Sequence, residues 1–261
     1  MTTKLSVNVN KLATLRNSRG KNNPDVVRLS LEIIRFGAEG ITVHPRPDER
    51  HIRKTDVYEL KRAINVELNV EGYPSEDFLK MVTEVRAAQC TLVPDPPHVL
   101  TSNAGWRVTE NIELLSSVAK TLKSHGVRSS VFVDPETTSQ VEYQILREAG
   151  IDRVELYTEK YAETFADSKL ALEPVIESYR EAALWAREAG LGVNAGHDLN
   201  TENLPSLLTA IPWIDEVSIG HALICDALIW GLELTIKNYL AAIQKGVRAA
   251  SAKRQTPPAV C

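Results

Sequence analysis

Three side chains suited to proton transfer stand at the ends of short apolar runs in this 261-residue sequence. They are His44, Glu71 and His197. Imidazole and carboxylate groups are the usual general acids and bases of enzymes, and histidine titrates near neutral pH without a large pKa shift. The first two residues close the runs GITVH and VELNVE, and the third follows LGVNAG. If these runs are strands of one sheet, the sequence predicts acid–base catalysis by these groups.

Two patterns suited to phosphate binding accompany these residues. Several cationic side chains follow the first two apolar runs, and arginine suits bidentate recognition of phosphate, although a solvated charged surface is the alternative interpretation. This cluster comprises Arg16, Arg19, Arg46, His51 and Arg53. The small residues in NAGHD (194–198) and IGHAL (219–223) would let backbone N–H groups and a following helix N-terminus approach an anion. Both patterns favour an enzyme that acts on a phosphorylated metabolite.

Eight β-branched runs alternate with helical patterns and predict the elements that must position these groups. The runs cover residues 5–10, 40–44, 66–71, 90–94, 129–134, 153–158, 191–196 and 216–221. Eight strands separated by helices predict an α/β fold, a TIM (β/α)8 barrel with extra helices, whose active site lies at the C-terminal ends of the strands. An open doubly wound sheet is the rival, but no GxGxxG follows the first run.

Alternation within each run assigns side chains to the inside or the outside of the barrel. His44 and Glu71 are predicted to face inward at the upper, C-terminal end, whereas Glu67 faces inward at the lower end and is expected to be a paired core carboxylate. The other inward positions are mostly polar: Ser6, Asn8, Asn10, Thr42, Asn69, Glu155, Tyr157, Asn194, Ser218 and Gly220. Barrel interiors normally hold Val, Ile and Leu, and an unpaired buried polar group costs about 1–3 kcal/mol. These groups must therefore be bonded to one another or used in catalysis.

Three segments depart from a plain barrel. Residues 159–190 are long enough for an additional helix before the one that contains Tyr179. Residues 95–107, rich in Pro, Ser and Asn, are predicted to form a mobile lid over the barrel mouth. Residues 1–245 are expected to be a single barrel domain, and residues 246–261, which have no apolar period, a disordered tail.

Charge and cysteine content exclude several classes of protein. The formal net charge of −4 provides no basic field for nucleic acid or for an anionic membrane. Three irregularly spaced cysteines, Cys90, Cys225 and Cys261, favour reduced thiols in a cytoplasmic protein over disulfides or a zinc site. Neither a signal peptide nor a membrane span is expected.

Six motifs resemble those of the pyridoxine 5′-phosphate synthase family of vitamin B6 biosynthesis. They are NVNKLATLRNSRG (8–20), GITVHPRPDERHI (40–52), LNVE (68–71), LVP (92–94), VNAGHDL (193–199) and IGHAL (219–223). The motifs occur in the same order and extend over almost the whole chain, up to about residue 246. Together they are highly specific for that family.

The resemblance implies a ring-closing condensation of 3-amino-2-oxopropyl phosphate with 1-deoxy-D-xylulose 5-phosphate, without a metal or organic cofactor. It implies that His44 and Glu71 accept protons and that His197 donates one. The residues that it assigns to the aminoketone phosphate are Asn8, Arg19, Asp198, Gly220 and His221. Those that it assigns to the pentulose phosphate are Asn10, Lys11, Arg46, His51 and Thr101. It also implies a homo-oligomer, typically an octamer.

Three residues depart from the family pattern. Asn10 and Lys11 stand where the family usually has Asp-His, and Asp198 stands where it usually has glycine. Asn10 is expected to close the inner face of the first strand, and Lys11 to begin the loop that follows. From there Lys11 serves either as a cation for the pentulose phosphate, which we favour, or as an amine that forms an imine with the ketone.

Two other functions compete with this interpretation. A metal-dependent hydrolase would bring His44, Glu71, His197 and His221 to one ion, but the HxH motif usual on strand one of such barrels is NVN here. The second competing function is that of a catalytically silent barrel that acts as a binding module. The presence of His44, Glu71 and His197 disfavours it.

Overall fold

Eight parallel strands pair in chain order and close on themselves in the computed structural model, because β8 pairs with β1. The structure describes residues 3–94, 104–167 and 170–255. The strands are β1 Lys4–Asn8, β2 Gly40–Val43, β3 Glu67–Gly72, β4 Gln89–Leu92, β5 Arg128–Val133, β6 Arg153–Tyr157, β7 Gly192–Gly196 and β8 Glu216–Ile219. Their ends lie within two residues of the predicted runs. The predicted (β/α)8 barrel is confirmed.

Eleven helices in the described part of the chain surround the strands. They are α1 Asn10–Asn17, α2 Val26–Arg35, α3 Lys54–Ala63, α4 Glu76–Val85, α5 Val108–Ser124, α6 Gln140–Glu148, α7 Glu159–Ala166, α8 Leu172–Glu188, α9 Leu204–Ala210, α10 His221–Trp230 and α11 Leu232–Gln255. Strands β1, β6 and β8 are each followed by two helices instead of one. The additional helix predicted before Tyr179 is α7, whereas the presence of two helices after β1 and after β8 was not predicted.

The hydrophobic core lies between the strands and the helices. Outward-facing strand residues such as Leu5, Val7 and Ile41 are fully buried there. Helix α2 buries Val26 and Ile33, and the Asp25 side chain caps its first turn by accepting the Arg28 backbone N–H at 2.9 Å. The apolar residues thus hold the barrel from outside and leave its interior to polar side chains.

Polar side chains fill the middle of the barrel and bond to one another. The Ser6 and Thr42 hydroxyls lie 2.7 Å apart, and the Asn69 amide donates to Thr42 Oγ1 at 3.4 Å. The Thr91 hydroxyl donates to Asn69 Oδ1 at 3.1 Å and to Glu155 Oε2 at 3.3 Å. The predicted inward alternation is confirmed for these strands, and the hydrogen bonds offset the desolvation of the buried polar groups.

Direct ion pairs between side chains occupy the lower end of the barrel. Glu67 accepts from Lys4 Nζ at 3.0 Å and from Arg128 Nη2 at 2.5 Å. Burial works to raise the pKa of Glu67, but the hydrogen bonds from Arg128 and Lys4 outweigh it and lower that pKa to about 2. Glu67 is therefore a paired structural carboxylate, as its position at the start of β3 predicted.

The C-terminal segment differs from the expectation of disorder, because α11 continues to Gln255. A Cβ atom at Gly246 would approach Leu208 Cβ to 2.7 Å, so glycine lets α11 pack closely on α9, and Ala250 is buried. Packing against α9 thus extends the helix through residues without a clear apolar period. Residues 256–261 lie outside the described residues.

The predicted lid lies mostly outside the described part of the chain, which omits residues 95–103 and with them Thr101. Its C-terminal end is described. Trp106 is buried, its indole N–H donates to the Leu92 carbonyl at 2.9 Å, and its backbone N–H donates to the Phe132 carbonyl at 3.0 Å. The lid stays a prediction. None of the described helices has the length and apolar character needed to cross a membrane.

Candidate active site

A cavity of about 440 Å³ opens at the C-terminal ends of the strands. It is lined by Asn8, Asn10, Lys11, His44, Arg46, His51, Glu71, Val93, Phe132, Glu155, Glu159, His197, Asp198, Ser218, Gly220 and His221. The structure therefore brings together every predicted site residue except two. Arg19 is exposed in the turn after α1 and does not line the cavity, and Thr101 is not described.

His44 and Glu71 lie close together in this cavity, and their side chains are only 8% and 12% exposed. Their Nδ1 and Oε2 atoms lie 3.8 Å apart, and the Asn8 amide donates to the same Oε2 at 3.4 Å. Burial, reinforced by the neighbouring Arg46, His51 and Arg50, lowers the pKa of His44 well below its ordinary value. The imidazole is therefore neutral at neutral pH and able to accept a proton.

Asn10 and Lys11 begin helix α1 instead of ending strand β1, which corrects the predicted placement. The strand stops at Asn8, because the Asn8 side chain accepts the Asn10 backbone N–H at 3.1 Å and turns the chain into the helix. The Asn10 carbonyl oxygen Oδ1 in turn accepts the His44 backbone N–H at 2.9 Å. Asn10 thus fixes the end of β2 as well as lining the cavity.

The side of the cavity nearest β1 and β2 carries Lys11, Arg46 and His51, which we call the cationic wall. Burial, followed by the charges of Arg46 and Lys11, lowers the pKa of His51 to about 4. The His51 Nδ1 accepts the Ile52 backbone N–H at 2.9 Å, so the neutral ring carries its proton on Nε2. The wall therefore offers two cations and one N–H donor to an anion.

Two other arginines of the predicted phosphate cluster, Arg16 and Arg53, have structural partners. Arg16 is buried and forms two hydrogen bonds with the Asp56 carboxylate, at 2.6 and 2.8 Å. Arg53 donates to Asn17 Oδ1 at 3.0 Å. Sequence spacing could not separate these arginines from Arg46, because all of them follow the first two strands.

His197 lies on the opposite side of the cavity, between two carboxylates. Its Nε2 is 3.7 Å from Asp198 Oδ2 and 4.0 Å from Glu159 Oε1, and the Tyr157 ring packs edge-on with centroids 4.9 Å apart. Glu159 and Asp198 are called the carboxylate wall below. His197 and Asp198 have left-handed backbone angles, with φ of 94° and 54°. Thr158 Oγ1, which donates to the His197 carbonyl at 2.5 Å, holds this turn.

Ligand atoms of Glu159, His197 and Asp198 lie within 4.8 Å of one another, close enough to reach a cation. No other group of three such ligands occurs among the described residues. His44, Glu71, His197 and His221 therefore do not converge as the metal-dependent hydrolase would require.

Two glycines make room for the site. A Cβ atom at Gly196 would lie 2.4 Å from Glu155 Oε1, and one at Gly220 would lie 3.1 Å from Asn8 Cβ. Gly220 is followed directly by α10, so the N-terminus of this ten-residue helix faces the cavity beside Asn8. Backbone N–H groups at such a helix end favour an anion.

The predicted site residues did not include five residues that line the cavity: Val93, Phe132, Glu155, Glu159 and Ser218. Alternation placed Glu155 and Ser218 inside the barrel, and this pattern could have identified them as site residues. Glu159 follows directly after β6, where a catalytic residue of a barrel is expected. Nothing in the sequence distinguishes Val93 and Phe132 from ordinary core residues.

Similarity to known proteins agrees with this geometry. A sequence profile described as "Pyridoxal phosphate biosynthesis protein PdxJ" matches residues 5–245. A protein of Cytophaga hutchinsonii named pyridoxine 5′-phosphate synthase is 53% identical over 243 residues, which cover 93% of this chain and 100% of that protein. One of Phocaeicola vulgatus with the same name is 54% identical over 237 residues, covering 91% of this chain and 97% of that protein.

Solved structures with low sequence identity share the fold. The tryptophan synthase alpha chain of Legionella pneumophila superimposes with a TM-score of 0.60 at 16% identity, covering 98% of this chain and 94% of that one. This likeness concerns the barrel alone. The profile match and the identity over nearly the full length carry the assignment: this chain belongs to the PdxJ family of pyridoxal phosphate biosynthesis proteins.

Proposed function

We propose that this protein is a pyridoxine 5′-phosphate synthase, which condenses 3-amino-2-oxopropyl phosphate with 1-deoxy-D-xylulose 5-phosphate. The observation that carries the proposal is the His44–Glu71 pair, buried and facing His197 across one cavity, in a chain more than half identical to proteins of that name. Products are pyridoxine 5′-phosphate, inorganic phosphate and water. The reaction needs no metal or organic cofactor, because each step is a proton transfer, an addition or an elimination.

His44 and Glu71 accept protons in this proposal. Attack of the amine on the pentulose ketone and the later enolisation both release protons, from nitrogen and from carbon. A neutral imidazole beside a carboxylate can take up these protons in turn, and the Asn8 amide holds the carboxylate in place. Because both side chains line the cavity, a bound substrate can exchange protons with them directly.

His197 donates a proton to the groups that leave. Loss of a hydroxyl as water requires an acid beside the oxygen, and an imidazolium ring supplies one. The turn that carries His197 is held by Thr158 Oγ1, so the ring is fixed relative to the cavity. Acid and base thus approach the bound substrates from opposite sides.

The two phosphates bind at separate places. The cationic wall, with Asn10 and the undescribed Thr101, binds the pentulose phosphate. Asn8, Gly220 and His221 bind the phosphate group of the aminoketone substrate at the N-terminus of α10, and Asp198 contacts the same substrate. Arg19 does not line the cavity, so its contact with the aminoketone phosphate stays a prediction.

The protein acts in the cytoplasm as a homo-oligomer, and a group of exposed apolar side chains supports the oligomer. Leu228, Ile229, Trp230 and Leu234 are 77%, 77%, 41% and 51% exposed at the junction of α10 and α11. Exposed apolar side chains this close together in the chain are typical of a subunit interface. We expect Leu228→Asp to lower the mass measured by light scattering, whereas Val141→Asp, at an exposed apolar site on α6, leaves it unchanged.

Incubation with both phosphorylated substrates tests the function directly. We expect the absorbance of pyridoxine phosphate to rise only when both substrates are present. Absence of this product from a folded protein of native oligomeric mass would refute the proposal.

A further inference from the structure

None of the proton transfers proposed above uses the carboxylate wall as donor or acceptor, although both of its carboxylates lie within 4.0 Å of His197 Nε2. Glu159 and Asp198 line the cavity, and both are partly exposed to it, with side chains 39% and 46% accessible. An enzyme for two phosphate dianions gains nothing from negative side chains unless they meet a positive group. The aminoketone substrate carries such a group, because its amine is a primary ammonium at neutral pH.

We propose that Glu159 and Asp198 recognise the ammonium group of the aminoketone phosphate and thereby fix its orientation in the cavity. This inference rests on the proposed function for the identity of the substrate. The two carboxylates determine specificity for an amine over the corresponding alcohol, and they hold the nitrogen beside His197.

The position of the two carboxylates is fixed by neighbouring groups. The Tyr157 hydroxyl donates to Glu159 Oε2, which leaves Oε1 directed toward His197 at 4.0 Å. Asp198 Oδ2 lies 3.7 Å from the same ring nitrogen. An ammonium group has three donors and no acceptor, so two carboxylate oxygens in one small region match it well.

A third acidic side chain, that of Glu155, lies on this side of the cavity. Glu155 is 3% exposed and lines the cavity, and its Oε2 accepts from Thr91 while its Oε1 has no hydrogen-bond partner among the described residues. Burial and the charge of Glu216 raise the pKa of Glu155. Glu155 provides an open hydrogen-bonding position below Glu159 and Asp198.

The opposite charges on the two sides of the cavity therefore orient a substrate that carries charges of both signs. The cationic wall and the N-terminus of α10 attract phosphate, whereas the carboxylate wall repels it and attracts the ammonium. A molecule with phosphate at one end and ammonium at the other can bind in one orientation only. This orientation presents the nitrogen to the region between His197 and the His44–Glu71 pair.

The test compares binding of 3-aminopropyl phosphate and 3-hydroxypropyl phosphate, which differ in the ammonium group and cannot react. By calorimetry at pH 7 with the full chain, we expect the amine to bind about tenfold more tightly, about threefold from each carboxylate. The double variant Glu159→Gln/Asp198→Asn should lose this preference. Asparagine tolerates the left-handed backbone at position 198, and glutamine can still accept from Tyr157, so the fold is retained.

Glu163→Gln is the matched control, because Glu163 is an exposed carboxylate one turn further along α7 that does not line the cavity. It should keep the tenfold preference. Equal binding of the two ligands by the unaltered protein would overturn the proposal, as would a preference that survives in the double variant or disappears in Glu163→Gln. Since no turnover is measured, a protein that prefers the amine but forms no pyridoxine phosphate would refute only the proposed function.

Discussion

The two ends of the barrel contain the same kinds of polar residue, but they use them differently. At the lower end, Glu67 closes ion pairs with Lys4 and Arg128 at 3.0 and 2.5 Å. At the upper end, the Glu71 and Asp198 carboxylates lie 3.8 and 3.7 Å from imidazole nitrogens and border an open cavity. The lower carboxylate is occupied by protein partners, whereas the upper carboxylates remain accessible to a substrate.

This difference shows that residue type alone does not identify a catalytic group inside a barrel. Glu67 and Glu71 lie four residues apart on the same strand and face inward alike. Their partners differ, since two cations reach Glu67, whereas the partners of Glu71 include an amide and a neutral imidazole. The contrast between these two glutamates can be tested by substitution.

The largest effect is expected from Glu71→Gln. Loss of a general base should reduce turnover by about two to four orders of magnitude, while both substrates still bind because glutamine keeps the size of the side chain. Steady-state kinetics and calorimetric binding of each substrate measure the two quantities. An almost unimpaired enzyme would remove the functional distinction between Glu71 and Glu67.

Lys11 should affect binding more than turnover, because it lies on the cationic wall beside His51. We expect Lys11→Ala to raise the KM for the pentulose phosphate by about tenfold, the loss of one charge-assisted contact, and Lys11→Arg to retain most activity. Borohydride treatment with the pentulose should leave the mass of the protein unchanged. An adduct on Lys11, together with an inactive Lys11→Arg, would make this lysine a nucleophile instead.

Glu67→Gln should act on stability and spare catalysis. The lowered pKa of Glu67 means that its ion pairs stabilise the fold above its ordinary pKa of 4.5 and lose this effect as the pH falls toward 2. Allowing for partial exposure, we expect a loss of about 1–2 kcal/mol at pH 7 by denaturant unfolding, and a smaller difference from the unaltered protein at pH 3. A large loss of turnover with unchanged stability would reverse the roles of the two ends.

The smallest effect is expected from metal removal. If His197, Glu159 and Asp198 serve protons and an ammonium group, a chelator should leave product formation unchanged within error. Activity that disappears with chelator and returns with a divalent ion would assign the upper carboxylates to a metal.

Strand order and the inward face were predictable from sequence because alternation and the number of runs determine both. The location of the proposed acid–base trio was also predictable, because its members lie at the upper ends of β2, β3 and β7 and line one cavity. The start of α1 at Asn10 was not predictable, since it depends on a hydrogen bond from the Asn10 backbone N–H to the Asn8 side chain. The partners of Arg16 and the packing of α11 on α9 likewise depend on contacts between distant segments. Residues 95–107 keep their predicted role as a lid, which protease sensitivity with and without substrates would measure.

The hydrogen-bonded layer of Ser6, Thr42, Asn69 and Thr91 has a thermodynamic consequence for the whole domain. Exposure of apolar surface on unfolding raises the heat capacity, whereas exposure of polar surface lowers it. A barrel filled with these side chains therefore has a smaller heat-capacity change of unfolding than a barrel of equal length filled with valine and isoleucine. Its free energy of unfolding varies less steeply with temperature, so the same maximum stability extends over a wider thermal range.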